Sequence, residues 1–119
     1  MKERLTYLDI SESEKLPICF NLNVMEEIQN EYGSMQKWGA VVENKDGGEP
    51  QIKDLKYGLL AMINEGIDID NERTGAERKP LTAKQVGRLI GQVGFQKVIS
   101  AIKELTITST KVDDEPKNE

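Results

Sequence analysis

The side chains that could do chemistry are few in this chain. Its 119 residues include no histidine and one cysteine, Cys19. Without an imidazole there is no Ser–His or Cys–His nucleophile pair and no histidine general base. One cysteine cannot assemble the usual Cys and His ligands of structural zinc within one chain. Nor can it form an internal disulfide, so the sequence does not read as a secreted, cross-linked scaffold. Cys19 stands between Ile18 and Phe20 and reads as a small hydrophobe. The carboxylates are numerous but scattered over polar faces, and no catalytic pair stands out among them. The expectation is a protein that is not an enzyme and holds no cofactor and no metal.

Four short motifs test that expectation. Asp68-Ile69-Asp70-Asn71-Glu72 opens like a calcium loop, which requires glycine at the sixth position and glutamate at the twelfth. Those positions hold Arg73 and Lys79, so a solvated acidic loop is the better reading. Gly47-Gly48 lacks the Gly-Lys-Ser/Thr that completes a phosphate loop. Gly87 and Gly91 have the spacing that lets two helices approach closely, in the same chain or between copies. Two glycines in one helix cost about 1 kcal/mol each relative to alanine, which close packing would offset. Finally, residues 81–105 form two short helical patterns broken near Gly94, an arrangement shared with helix-turn-helix regulators. Lys84, Arg88, Lys97 and Lys103 against Glu104 give this segment a net charge of +3. Its second helix, however, offers only Gln96, Lys97 and Ser100 as base-reading side chains. A helical hairpin that serves the core is favoured, with a small DNA-binding regulator as the alternative.

The elements follow from periodicity. Residues 4–22 read as a β-hairpin: Leu5, Tyr7, Leu8 and Ile10 precede a polar loop over 11–15, and Ile18, Phe20 and Leu22 then alternate with Cys19 and Asn21. Asn23 is expected to cap a first helix with Val24, Ile28 and Tyr32 on one face, Glu26 and Glu27 near its start and Gly33 at its end. Ser34 caps a second helix from Met35 to Glu43, with Trp38 and Val41 or Val42 inward. The run 44–50 is a turn-rich connector. Ile52, Leu55, Leu59, Met62 and Ile63 mark a third helix that Gly66 should stop, with a polar loop over 68–80. Thr82 with Gln85 is a capping box for a fourth helix carrying Val86, Leu89, Ile90 and Val93. Phe95, Val98, Ile99, Ile102 and Leu105 give the last one its apolar face. Residues 109–119 read as a disordered polar tail.

The fold class is therefore mainly α: a single domain over 1–108, a small bundle of about five helices with an N-terminal hairpin. Length permits one modest core and no more. Hydrophobic residues make up 37% and charged residues 31%, so a globular fold requires coherent apolar faces. A net charge of −5 argues against non-specific attraction to nucleic acid, which depends on neutralising phosphates. No stretch approaches the run of about 20 apolar residues that spans a bilayer, and Met1-Lys2-Glu3-Arg4 leads into no apolar signal core. A cytoplasmic protein without membrane or nucleic-acid partners is expected.

Three segments carry a family resemblance: residues 59–66 (LLAMINEG), 80–87 (PLTAKQVG) and 98–105 (VISAIKEL). Their order, with the helical pattern from Phe20 to Thr108, resembles the tail assembly chaperones of long-tailed phages and of prophages in Gram-positive bacteria. The resemblance implies a small, acidic, helical protein made in the host cell and absent from the mature virion. Such proteins coat the tape-measure protein and recruit tail-tube subunits, often as oligomers, and many exist in a short and a frameshifted longer form. Helix faces holding Leu59, Met62 and Ile102 would then be available to partners, with the core the better reading for most such residues, and Gly87 and Gly91 would serve self-association.

Overall fold

Residues 5–43 and 51–114 are described by the computed structural model. The expected connector over 44–50 and the last five residues lie outside them. The hairpin is present: β1 (Thr6–Ser11) pairs antiparallel with β2 (Glu14–Ile18), with Tyr7 opposite Pro17 and Leu8 opposite Leu16. Its turn is tighter than the expected loop, only Glu12 and Ser13, and the register is irregular between Asp9 and Ser11. The strand does not continue to Leu22. Leu16 to Phe20 are all buried, instead of alternating, because the chain there is enclosed by the core.

Helix α1 (Leu22–Tyr32) begins two residues earlier than expected. Asn21, not Asn23, accepts from the Val24 backbone N–H at 3.1 Å, so Leu22 becomes the first helical residue and is 78% exposed. Glu26 and Glu27 consequently fall beyond the first turn. Val24 and Ile28 are buried, and Gly33 ends the helix at φ 93°, a conformation that favours glycine. Helix α2 (Met35–Glu43) matches expectation: Ser34 Oγ accepts from the Lys37 N–H at 3.1 Å, and Trp38 and Val42 are buried.

The third helix departs most from the sequence reading. Helix α3 runs from Ile52 to Thr74, through Gly66, and stops only at Gly75, which adopts the left-handed conformation. Most of the expected loop over 68–80 is thus helix, leaving a connector over 75–82. Gly66 does not end a helix because it serves a contact. A Cβ there would lie 2.5 Å from the Pro17 carbonyl oxygen and 2.8 Å from Ile18 Cα. A helical side chain covers the turn before it. Its absence at 66 uncovers the Met62 carbonyl, which accepts an additional hydrogen bond from the Cys19 N–H at 3.0 Å. Gly58 repeats the device one contact earlier. A Cβ there would sit 2.1 Å from the Trp38 ring, and the indole Nε1–H donates to the Asp54 carbonyl at 2.9 Å.

Around this axis the other elements assemble. β2, α1, α2 and α4 all pack on α3, and its buried residues lie on more than one side, as befits a central helix. Helix α4 (Ala83–Val93) has the full capping box, with Thr82 Oγ1 accepting from the Gln85 N–H and the Gln85 side chain accepting from the Thr82 N–H. It buries Val86, Leu89 and Ile90. After Gly94, α5 (Phe95–Asp114) packs on α4 and buries Val98, Ile102 and Leu105. The backbone from Ser109 to Asp114 is helical, where the sequence read as a disordered tail. Among the described residues five helices and one short hairpin make up the regular structure, so the mainly-α class holds.

Alanine substitutions separate propensity from packing. Helix propensity alone would make Gly58→Ala, Gly66→Ala and Gly91→Ala each stabilising by about 1 kcal/mol. Gly91, where a Cβ meets nothing within 4 Å, should follow propensity. Gly58→Ala and Gly66→Ala should instead destabilise by about 1–3 kcal/mol through overpacking. Urea unfolding followed by fluorescence of Trp38, the only tryptophan, would read all three; equal stabilisation at every site would refute the packing account.

Candidate functional site

One groove stands out on the described surface. Its floor is the face of α3 holding Leu60, Ala61, Asn64 and Ile67. One wall is α1 with Glu27, and the other is the connector with Arg78 and Pro80; Tyr57 and Asn71 close the ends, and the volume is about 370 Å³.

Local chemistry explains how each wall is held. Tyr57 donates its hydroxyl proton to the Glu27 carbonyl at 3.2 Å and meets Tyr32 edge to face, the ring centroids 5.6 Å apart. Tyr32 in turn donates to Asp54 Oδ1 at 2.5 Å. Burial, with Asp54 as hydrogen-bond acceptor, pushes the Tyr32 hydroxyl well above its ordinary range. Burial and the nearby Glu27 and Glu31 carboxylates raise Tyr57 as well. Glu65 accepts from the side-chain amides of Asn21 at 2.8 Å and Asn23 at 3.0 Å, tying the start of α1 to α3.

The opposite wall depends on two asparagines seven residues apart on α3. The Asn64 amide accepts from the Leu81 N–H at 2.8 Å and donates to the Leu81 carbonyl at 3.1 Å. Asn71 does the same to Arg78, at 3.2 and 2.9 Å. Each side chain imitates a strand partner, so the connector lies antiparallel along α3 with its backbone groups satisfied. In the sequence Asn71 stands out only within the calcium-like run and Asn64 only within the segment 59–66, neither as a bracket. The available signal was Asn at i and i+7 in a helix interior, where this residue has poor propensity unless its side chain is engaged elsewhere.

The expected contact residues fare differently. Leu59, Met62 and Ile102 are all buried in the core and present no surface. Gly87 faces Lys56 on α3, whose Nζ would lie 3.3 Å from an added Cβ, whereas Gly91 is open and exposed. The two glycines thus do not form one close helix contact within the chain. The acidic run from Asp68 is helical and its members diverge: Asp68 reaches the groove, Asp70 accepts from the Tyr7 hydroxyl at 3.3 Å, and Asn71 holds Arg78. Among the described residues no group of three His, Cys, Asp or Glu is placed to hold a metal ion, and no helix is long and apolar enough to cross a membrane.

The described residues thus form a small α-rich domain with a groove along α3 lined by both apolar and charged side chains. Comparison with protein-family models, with curated proteins and with solved structures returns no match.

Two outcomes test this description. Asn64→Ala should cost about 1–3 kcal/mol by leaving Leu81 backbone groups unpaired, and amide exchange should accelerate at Leu81 first; unchanged protection there would remove the bracket's role. Stability should also fall as pH rises past 10.0, the ordinary tyrosine value. There the unfolded chain loses a proton that folded Tyr32 retains, so the unfolded state binds fewer protons. Tyr32→Phe should flatten that alkaline decline in a pH series of thermal melts.

Proposed function

We propose that this protein is a tail assembly chaperone of a phage or prophage, acting by binding the tape-measure and tail-tube proteins during tail morphogenesis and not by catalysis. The observation that carries the reading is the residue order across 59–66, 80–87 and 98–105. Those segments belong to α3, to the capped start of α4 and to α5, three helices packed in series. The physical character agrees with the task. A protein that handles a long amphipathic helix needs a groove with an apolar floor and charged walls, and an acidic surface that keeps the assembly soluble. Leu60 and Ala61 supply such a floor, with Glu27, Glu65 and Asp68 around it. The reading carries with it a host-cell location and absence from the finished virion.

A second reading retains one supporting observation. Lys84, Arg88 and Lys97 are exposed on α4 and α5 on either side of the Gly94 break, as a small DNA-binding regulator would require. Burial of Val98, Ile102 and Leu105 leaves little of α5 for reading bases.

Co-expression with tape-measure and tube proteins from the same phage or prophage genome is the direct test. A stable complex with either is expected, and Leu60→Glu should abolish it while leaving the fold intact, since Leu60 is only partly buried. Binding to neither protein, together with a salt-dependent shift of DNA that Lys84→Glu and Lys97→Glu eliminate, would replace the chaperone by the regulator.

A further inference from the structure

The hairpin has two outer edges, and the fold closes only one of them. In an antiparallel pair, residues directly opposite one another exchange two backbone hydrogen bonds or none. Tyr7 stands opposite Pro17, which has no N–H, so the bonded pairs are Thr6 with Ile18 and Leu8 with Leu16. The backbone groups of Pro17 and Cys19 therefore point outward on the β2 side, and those of Tyr7 and Asp9 on the β1 side. Helix α3 seals the first edge: the Pro17 carbonyl closes on Gly66, and the Cys19 N–H donates to the Met62 carbonyl. Among the described residues the sheet has no third strand, and outside the hairpin ladder no hydrogen bond engages the backbone of Tyr7 or Asp9. Thr6, Tyr7 and Asp9 are exposed. Neither proline nor lysine, residues that commonly guard an edge, occurs in β1. Beyond Asp9 the register is irregular, which confines the open edge to the stretch ending there.

We propose that the β1 edge is a second interaction surface, which takes an extended segment of a partner protein as a third, antiparallel strand, with a basic residue beside Asp9 and an apolar one beside Leu8. Free N–H and carbonyl groups at strand spacing are complementary to another strand's backbone, and alternate side chains then give specificity. The added residues opposite Tyr7 and Asp9 make the new backbone bonds and share the face of those two side chains. The residue between them lies opposite Leu8 and extends the face on which Leu8 and Leu16 are buried. Charge selects the rest. At the turn end the exposed carboxylates of Asp9, Glu12 and Glu14 outnumber Lys15. At the Tyr7 end Asp70 is offset by Arg73 and Arg78, so the preference for a cation is confined to the turn end. A segment antiparallel to β1 thus reads basic, then apolar, with the position opposite Tyr7 unrestricted. No hairpin residue lines the α3 groove. The edge is therefore open whether or not the groove is filled, and the inference goes beyond the chaperone reading without depending on it.

The probe is a capped hexapeptide of alternating lysine and valine, titrated into the isotope-labelled full chain and followed by amide NMR. In the free protein the Tyr7 and Asp9 amides should exchange rapidly with solvent. At saturating peptide their exchange should slow about tenfold or more, since each N–H then has a partner. Methylating the backbone nitrogens of the lysines, which face β1 in this register, should abolish binding. Methylating those of the valines, which face away, should leave it unchanged. Replacing lysine by glutamate in the peptide should weaken binding about threefold or more, and Asp9→Lys should reverse that preference. Asp9→Pro removes an edge donor but no hairpin bond, so it should lose the peptide and keep the wild-type helical circular dichroism. Equal binding of the two methylated peptides, shifts confined to the α3 groove, or no binding at millimolar peptide would overturn the proposal. So would Tyr7 and Asp9 amides already protected without peptide in a chain that sediments as a dimer, because a second copy then occupies the edge. Should Asp9→Pro fail to fold, the two methylated peptides still decide the matter, since they leave the protein unaltered.

Discussion

Two helix carbonyls that accept one hydrogen bond more than the helix gives them organise this molecule. In α3 the carbonyls of Asp54 and Met62 also receive the Trp38 indole and the Cys19 amide. Both are reachable because the residue four positions on, Gly58 or Gly66, has no Cβ to cover the preceding turn. Each glycine gives up intrinsic helix propensity for a close approach that any other residue would block. The consequences extend through the fold. At Gly66 the hairpin is set directly on the helix backbone, with Pro17 and Ile18 buried against it. At Gly58 the indole crosses the helix and fixes α2. Helix α1 then packs on both α2 and α3, and α4 packs on α3 and β1.

The groove is a by-product of the same axis. An α3 that ended at Gly66 would have no surface beyond the core on which a connector could lie. Because it continues to Thr74, Asn71 joins Asn64 on the helix, and the two bind the returning chain by its own backbone. Side-chain amides suit this purpose because one group offers a donor and an acceptor in the spacing of a peptide unit. The connector is therefore fixed as a wall despite lacking regular structure and being exposed along most of its length. The facing wall is steadied differently, through Tyr57 on the Glu27 carbonyl and Glu65 on Asn21 and Asn23.

Charge then distinguishes surfaces that packing alone leaves equivalent. Helices α1 and α4 are equally long and each buries a narrow apolar stripe, yet their solvent faces have opposite sign. Nothing in the core requires this, since Val24 and Ile28 on α1 or Val86 and Ile90 on α4 would be buried equally well beneath mixed charges. A segregated surface has its physical consequence outside the fold, in how the molecule orients towards whatever it meets.

The helical class, the hairpin, the Ser34 and Thr82 caps and most core positions were legible in the sequence, because they rest on local effects. A hydroxyl three residues before a backbone N–H caps it whatever the rest of the chain does, and apolar residues at helical spacing need one buried face. The extent of α3 was not legible. A glycine after an apolar run is the ordinary sign of a helix end, and only the arrival of Pro17 and the Cys19 amide, more than forty residues distant in the chain, turns Gly66 into an interior contact. For the same reason the groove and its asparagines were hidden: an amide's role depends on which backbone comes to lie beside it. Leu59, Met62 and Ile102 could be recognised as apolar helix positions, but whether such a position faces a partner or the core is decided by what packs against it. Composition and local spacing determined the fold class; long-range contact decided where the helices end and which faces remain open.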